Sequence, residues 1–139
     1  MAFSPDGSFL AAGENAFKSP EITIWRIEYG KMESYDTAMS LSEDGSSIPA
    51  TESTERRKNE GQAINYTEIK HLRGHKIGIE CLRFAPKNNF LISLGDPQDK
   101  GLFVWDWFNE KKLTCNKLGK PALTVAISEE QDFFVTAGH

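Results

Sequence analysis

Three residue types of a hydrolytic triad occur in one part of the sequence: His75, Ser93 and Asp99. In a serine hydrolase such residues would supply a base, a nucleophile and an orienting carboxylate. The chain has no GxSxG turn that would expose a nucleophilic serine, and no GxxxxGK[ST] loop that would hold a phosphate. We therefore predict that the protein is not an enzyme and that it binds no cofactor.

A metal site is a second reading of the same region. His71 and His75 are spaced i, i+4, and Cys81 follows. The intervening Arg73-Gly74 is typical of a loop rather than of a helix that would align the two histidines, so we predict no zinc site. Cys81 and Cys115 lack a CxxC spacing, and we expect buried or neutral thiols, with a disulfide as the alternative.

The charge balance disfavours nucleic acid as a partner. The formal net charge is −4, so no overall basic field attracts phosphate. Arg56-Arg57-Lys58 is flanked by Glu52, Glu55 and Glu60, which favours a solvated loop over a basic recognition patch. No apolar run approaches the roughly 18 residues of a membrane span, and no signal peptide is recognisable. We predict a cytoplasmic protein without a membrane partner.

The elements that would position these residues are short strands bounded by turns. Alternation of apolar and polar residues, with Asp-Gly, Pro and Asn turns between runs, predicts β-structure throughout. The predicted strands are Phe9–Ala12, Ile22–Trp25, Ile64–Leu72, Ile79–Phe84, Phe90–Leu94, Leu102–Trp107, Lys112–Lys117, Leu123–Ile127 and Phe133–Ala137. Residues 31–63 are rich in Ser, Thr, Glu and Asp, and we expect a disordered acidic insertion in a surface hairpin.

Three stretches of the chain repeat one pattern. Phe3-SPDGS-Phe9, Phe84-APKNN-Phe90 and Ile127-SEEQD-Phe133 each place two large apolar residues six positions apart. The second and third copies are offset by 43 residues, and the first and second by 81, which is one such period plus about the length of the insertion. A period of roughly 40–45 residues favours the four-stranded blades of a β-propeller over a generic sandwich.

The stretch from Gly74-His75 to Trp105-Asp106 resembles a repeat of the WD-repeat family. The resemblance implies a buried structural network of His75, Ser93, Asp99 and Trp105, with the aspartate six residues before the tryptophan. In the first copy Ala12 and Ser19 stand at the serine and aspartate positions, so we expect that blade to lack the network.

We therefore predict an all-β fold, a partial WD-repeat β-propeller of about 2.5 blades of four-stranded antiparallel sheets. The expected units are an N-terminally incomplete first blade (1–30), the insertion (31–63), the outer strand of the first blade (64–73), a complete blade (74–118) and half of a third blade (119–139). Because a propeller closes with about four to eight blades, we expect a fragment of a longer WD-repeat protein, whose remaining blades would be partners.

A narrower resemblance rests on the sequences GENAFKSPEITIWRI, GHKIGIECLRFAP, FVWDW and FFVTAGH. Together they are similar to the WD-repeat region of the mitogen-activated protein kinase-binding protein 1 group, which includes a spindle-pole relative. This resemblance implies a non-catalytic scaffold in kinase signalling or at the spindle that binds other proteins through a propeller face or the insertion. The echinoderm microtubule-associated protein-like group is the alternative, and it implies a microtubule-associated module.

Overall fold

A computed structural model describes residues 1–16, 18–30 and 64–138 of the chain. Within these residues the fold is all-β, with ten strands in three antiparallel sheets, so the predicted fold class is confirmed. The predicted insertion at 31–63 lies outside the described residues. The described part contains no helix long and apolar enough to cross a membrane.

The first sheet has the order β1-β2-β3-β4, and the central sheet has the order β5-β6-β7-β8. A third sheet pairs β9 with β10. The strands are β1 Ala2–Phe3, β2 Phe9–Gly13, β3 Glu21–Tyr29, β4 Ile64–Arg73, β5 Ile79–Phe84, β6 Leu91–Gly95, β7 Gly101–Asp106, β8 Lys111–Lys117, β9 Thr124–Ile127 and β10 Phe134–Ala137. Each predicted strand corresponds to one of these, with ends that differ by a few residues.

The central sheet is covered on both faces. All five residues of β6 are buried, because alternate side chains enter two different cores. Leu91 packs with residues of the first sheet, whereas Ile92 and Leu94 pack with residues of the third sheet. Stacked sheets with one core on each side are the packing expected of consecutive propeller blades.

Three aromatic residues of the central sheet fill the core that it shares with the first sheet. Phe103, Trp105 and Trp107 are all buried in this core. The ring centroid of Trp107 lies 4.8 Å from that of Phe9 in β2 and 5.6 Å from that of Phe84 in β5. These side chains therefore pack between sheets and do not form an open aromatic cage.

One turn conformation recurs in all three copies of the repeat. Gly7, Asn88 and Gln131 occupy equivalent positions, and all three have positive φ, at 72°, 62° and 67°. In each copy the N–H of this residue donates to the carbonyl three residues earlier, at 2.9, 2.9 and 3.0 Å. The repeat thus fixes the backbone of the turn, including a left-handed conformation that glycine adopts most easily.

This turn yields a test of the backbone conformation. An added Cβ at Gly7 would meet only the Tyr29 hydroxyl, at 3.8 Å, so Gly7→Ala introduces no steric clash. We expect Gly7→Ala to lower the free energy of unfolding by about 1 kcal/mol, because a left-handed L-residue is strained. The reciprocal change Gln131→Gly should raise it by a few tenths to about 1 kcal/mol. Urea unfolding measures both, and a stabilised Gly7→Ala variant would contradict the assignment.

Candidate functional site

The candidate site joins two loops to two strands of the central sheet. His75 lies in the loop between β4 and β5, and Asp99 lies in the turn between β6 and β7. Ser93 lies in the middle of β6, and Trp105 lies near the end of β7. The structure brings all four of these residues into one hydrogen-bonded chain.

The chain runs from an indole to a carboxylate. The indole N–H of Trp105 donates to Ser93 Oγ at 2.8 Å. Ser93 Oγ lies 2.7 Å from His75 Nε2, and His75 Nδ1 lies 2.7 Å from Asp99 Oδ2. The backbone N–H of Lys76 also donates to this carboxylate oxygen, at 3.3 Å.

One arrangement of protons satisfies every member of the chain. The indole can only donate, so Ser93 Oγ accepts from it and donates its own hydroxyl proton to His75 Nε2. His75 must then carry its proton on Nδ1, from which it donates to the Asp99 carboxylate. The imidazole is neutral in this arrangement, and both of its nitrogens, the Ser93 hydroxyl and the Trp105 indole N–H have partners.

The burial of the imidazole favours the same neutral state. His75 is 4% exposed. Desolvation lowers the pKa of His75 below its ordinary value of 6.5, and the hydrogen bond and charge of Asp99 oppose this shift without cancelling it. The network is therefore built around an uncharged histidine held by a carboxylate.

Two residues that sequence reasoning had not assigned to the network hold it in place. Asp96 Oδ1 accepts the N–H of Asp99 at 2.7 Å and the N–H of Gln98 at 2.9 Å, which orients the turn that carries the Asp99 carboxylate. The ring of Phe103 lies edge-on to that of His75, with centroids 4.4 Å apart. The Asp-Pro pair at this turn and the aromatic residue two positions before Trp105 were the available sequence signals.

Two glycines leave the space that the network occupies. A Cβ at Gly74 would lie 2.8 Å from Trp105 Cη2, and a Cβ at Gly95 would lie 2.6 Å from Asp99 Oδ2. Both distances are shorter than a side chain tolerates, so any larger residue would displace the indole or the carboxylate. Gly74 thus has a steric reason to precede His75.

The order of groups matches a hydrolytic triad, but the surroundings do not suit a nucleophile. Ser93 is 0% exposed, and its oxygen already accepts from the Trp105 indole. A nucleophile needs a substrate within reach and a lone pair directed at it. What this arrangement can do is fasten the loop of His75 and the turn of Asp99 to the middle of the sheet.

The other sequence candidates do not converge on this site. His71 is not placed with His75 and Cys81, and instead contacts the carboxylates of Glu21 and Glu68. Among the described residues no group of three or more His, Cys, Asp or Glu side chains is arranged to hold a metal ion. Cys81 and Cys115 are both free thiols. Cys81 is half-buried and Cys115 is exposed, so the expectation of a buried thiol is wrong for Cys115.

Some candidates have no counterpart or fall outside the described part. Ala12 occupies the first-sheet position equivalent to Ser93 and carries no hydroxyl. Thr136, the equivalent residue of the third sheet, is exposed. The basic stretch at 56–58 lies outside the described residues.

The network predicts a contrast between two histidines. His75→Ala would leave the Asp99 carboxylate and the Ser93 hydroxyl without their partner, so we expect a loss of about 1–3 kcal/mol in the free energy of unfolding. His71→Ala is the matched control, because His71 is 44% exposed at its side chain and should cost well under about 1 kcal/mol. Equal losses in chemical denaturation would show that the buried network contributes nothing particular to stability.

The neutral histidine also predicts a pH dependence. Because the pKa of His75 is lowered in the folded state, the unfolded state binds more protons near and below pH 6.5. The contribution of the neutral His75 to stability is therefore complete above this pH, and it is lost as the pH falls below it. The melting temperature of the native chain should drop more between pH 7 and pH 5 than that of His75→Gln, and parallel curves would contradict this assignment.

The chain is similar to parts of two much longer proteins. The chain is 28% identical over 110 residues to Centriole proteome protein 16 of Chlamydomonas reinhardtii, a match that covers 76% of this chain and 5% of that protein. It is 38% identical over 74 residues to Cilia- and flagella-associated protein 52 of Bos taurus, a match that covers 47% of this chain and 11% of that protein. The chain thus spans only a small share of the length of these relatives.

The family match falls on the stretch that contains the network. Residues 66–106 match the family described as WD domain, G-beta repeat. This stretch begins in β4 of the first sheet and ends with β7 of the central sheet. It includes His75, Ser93, Asp99 and Trp105. The chain therefore contains a WD repeat, set in an all-β fold that corresponds to part of a β-propeller.

Proposed function

We propose that the protein is a non-catalytic protein-interaction module. The observation that supports this best is the closed His75 network. Its hydroxyl, imidazole and carboxylate are hydrogen-bonded to one another, and it holds two surface loops. WD repeats generally serve as rigid scaffolds for binding other proteins, which agrees with this role. The role of His75, Ser93, Asp99 and Trp105 in this proposal is structural.

The binding surface that we propose is the loop face, defined by residues 14–16, 74–78 and 96–100. These loops contact one another: the N–H of Asp96 donates to the carbonyl of Gly78 at 3.0 Å, and the N–H of Ile79 donates to the carbonyl of Glu14 at 3.2 Å. The network thus supports a surface on which Lys76 and Gln98 are exposed. Loops held by a rigid scaffold are frequent binding sites.

A hollow beside this surface could accept part of a partner. It has a volume of about 430 Å³ and lies between the loop face and β8, with Lys76, Gln98, Phe103 and Lys117 among its lining residues. A lining that combines lysines, an amide and an aromatic ring fits a polar protein segment with an apolar anchor.

We further propose that this module works in the cytoskeletal setting of the centriole or cilium. The names of both relatives associate those proteins with centrioles or with cilia and flagella. Neither name refers to kinase signalling, so the spindle-pole and microtubule-associated forms of the scaffold hypothesis have more support than the kinase form. A direct microtubule-associated module remains the second candidate.

Localisation of the tagged chain in ciliated cells tests the proposal. We expect the native chain to concentrate at centrioles or along cilia, and Lys76→Glu to reduce this enrichment severalfold, because it reverses a charge on the loop face. Lys87→Glu is the matched control, since Lys87 is also an exposed turn lysine but lies outside the loop face, in the turn between β5 and β6. A diffuse native chain, or equal effects of both substitutions, would contradict the proposal.

Co-sedimentation of the purified chain with microtubules distinguishes the second candidate from the first. A microtubule-associated module should pellet with the microtubules, whereas a scaffold that binds another protein should stay in the supernatant.

A further inference from the structure

Strand β8 forms the outer edge of the central sheet. It spans Lys111–Lys117, pairs with β7, and is exposed along its whole length. Because β8 ends the strand order of its sheet, its backbone N–H and carbonyl groups that point away from β7 have no partner strand among the described residues. An extended peptide can add to such an edge as a further strand and complete the hydrogen-bonded ladder.

The charge of β8 selects which kind of strand can pair with it. Lys111, Lys112 and Lys117 are all exposed, and the strand contains no acidic residue. Lysines on an edge strand discourage pairing with a second copy of the same edge, because like charges would face one another. A strand that carries carboxylates would neutralise these lysines. The edge therefore favours an acidic partner strand over another β8.

The hollow beside the loop face reaches this edge. Cys115, Asn116 and Lys117 of β8 belong to its lining, together with Phe103 of β7. Cys115 is paired with Phe103, and Lys117 is paired with Gly101. Gly101 has no side chain, and a Cβ at this position would lie 2.8 Å from Phe103 Cε2. The Phe103 ring thus occupies the space that a side chain would take, and it gives the hollow an aromatic floor beside β8.

Positive charges surround this aromatic floor. Lys76 of the loop face and Lys117 of β8 both line the hollow and are both exposed. Lys112 Nζ lies 5.2 Å from the centroid of the Phe103 ring. Among the described residues that line the hollow, the one carboxylate is that of Asp99, which is 9% exposed at its side chain and is hydrogen-bonded within the network. The hollow therefore suits an apolar or aromatic group with acidic groups on either side.

A smaller contact of the same chemistry exists at the outer edge of the first sheet. The backbone N–H of His71 in β4 donates to Glu110 Oε1 at 3.3 Å. The Nζ of the neighbouring Lys70 lies 3.6 Å from Glu110 Oε2 and 5.7 Å from the centroid of the Phe108 ring. A carboxylate and an aromatic ring thus contact a lysine and a backbone N–H of an outer strand together. Strand β8 offers the same combination of lysine and edge backbone.

We propose that β8 binds an acidic, extended peptide of a partner protein as a fifth strand of the central sheet. This inference rests on the proposed interaction role and names the partner segment. An apolar side chain of the peptide extends past Cys115 into the hollow over Phe103, and carboxylates on either side of it reach Lys112 and Lys117. Side chains on one face of a strand are two residues apart. The recognised motif is therefore acidic, apolar and acidic at alternate positions.

Fluorescence polarisation with a labelled peptide tests the partner class. The probe Gly-Glu-Thr-Phe-Thr-Glu-Gly carries the motif and reads the same in both directions, so it suits either strand orientation. We expect Lys117→Glu to weaken binding of the probe to the full chain roughly three- to tenfold, because the reversal replaces an attraction with a repulsion. Lys117→Gln replaces this variant if circular dichroism shows it to be unfolded. Lys87→Glu, in the exposed turn between β5 and β6, is the matched control and should change the affinity less than about twofold.

Two further measurements test the position and the geometry of the peptide. Saturating probe should slow the alkylation of Cys115 by iodoacetamide severalfold and leave that of Cys81 unchanged, because Cys81 lies in β5 and does not line the hollow. Methylation of the backbone nitrogens of the probe's phenylalanine and of the residue before it should weaken binding roughly tenfold. One of two successive N–H groups must enter the ladder, and methylation removes both.

No binding of the probe at millimolar concentration would overturn the proposal. So would binding that Lys117→Glu leaves unchanged, that does not protect Cys115, or that tolerates the methylated backbone. Stronger binding of an oligothymidylate than of the probe would overturn it as well, since that result indicates a single-stranded nucleic acid as the ligand. The localisation test has a separate outcome. A chain that localises as expected but binds no probe retains the interaction role and loses this partner segment, whereas a diffuse chain that binds the probe retains the segment and loses the cytoskeletal setting.

Discussion

The hydrogen bonds from the Trp105 indole through Ser93 and His75 to Asp99 meet a demand set by burial on both faces of the central sheet. Most side chains of β6 and β7 are buried between two cores. A polar atom placed there must find a protein partner or cost about 1–3 kcal/mol. Each donor in the chain has one acceptor, and the last acceptor is a carboxylate that also receives a backbone N–H from Lys76. The loops adopt their positions because the network ends in them.

Apolar packing and the polar network have different roles in this fold. Burial of residues such as Ile24, Leu91 and Trp107 supplies most of the free energy that holds the sheets together. That packing is tolerant of detail, whereas hydrogen bonds of 2.7–2.8 Å fix the orientation of particular side chains. The first sheet has Ala12 at the serine position and shows no equivalent of this network among its described residues. The central sheet has both.

Much of this fold could be read from the sequence, because the repeat carries its own spacing. Ile79–Phe84 was predicted with the bounds that the structure gives, since alternation and flanking turns are clear there. The membership of the network came from resemblance to a WD repeat, and hydrogen-bonding groups of suitable type stood at the right positions. The sequence predicted the residues, and the structure adds the directions and distances of their hydrogen bonds.

Other features depended on contacts that no local pattern encodes. Gln131 adopts positive φ, although glutamine has no preference for it, because its copy of the turn is held by the same backbone hydrogen bonds as Gly7. Phe3 and Tyr66 stand on an exposed face, although composition alone would place them in a core. Arg83 donates to the carbonyl of Val125, a contact 42 positions apart that depends on how two sheets meet. Tertiary geometry decided each of these.

The WD repeat and the sheets of this protein do not share boundaries. The matched stretch begins in β4, which completes the first sheet, and continues through β5, β6 and β7 of the central sheet. Each such repeat therefore spans the boundary between two neighbouring sheets. Neither sheet can detach without either peeling β4 from β3 or stretching the short connection to β5. Neighbouring sheets should consequently unfold as one cooperative unit, and damage to the His75 loop would spread across the joint rather than remain in one sheet.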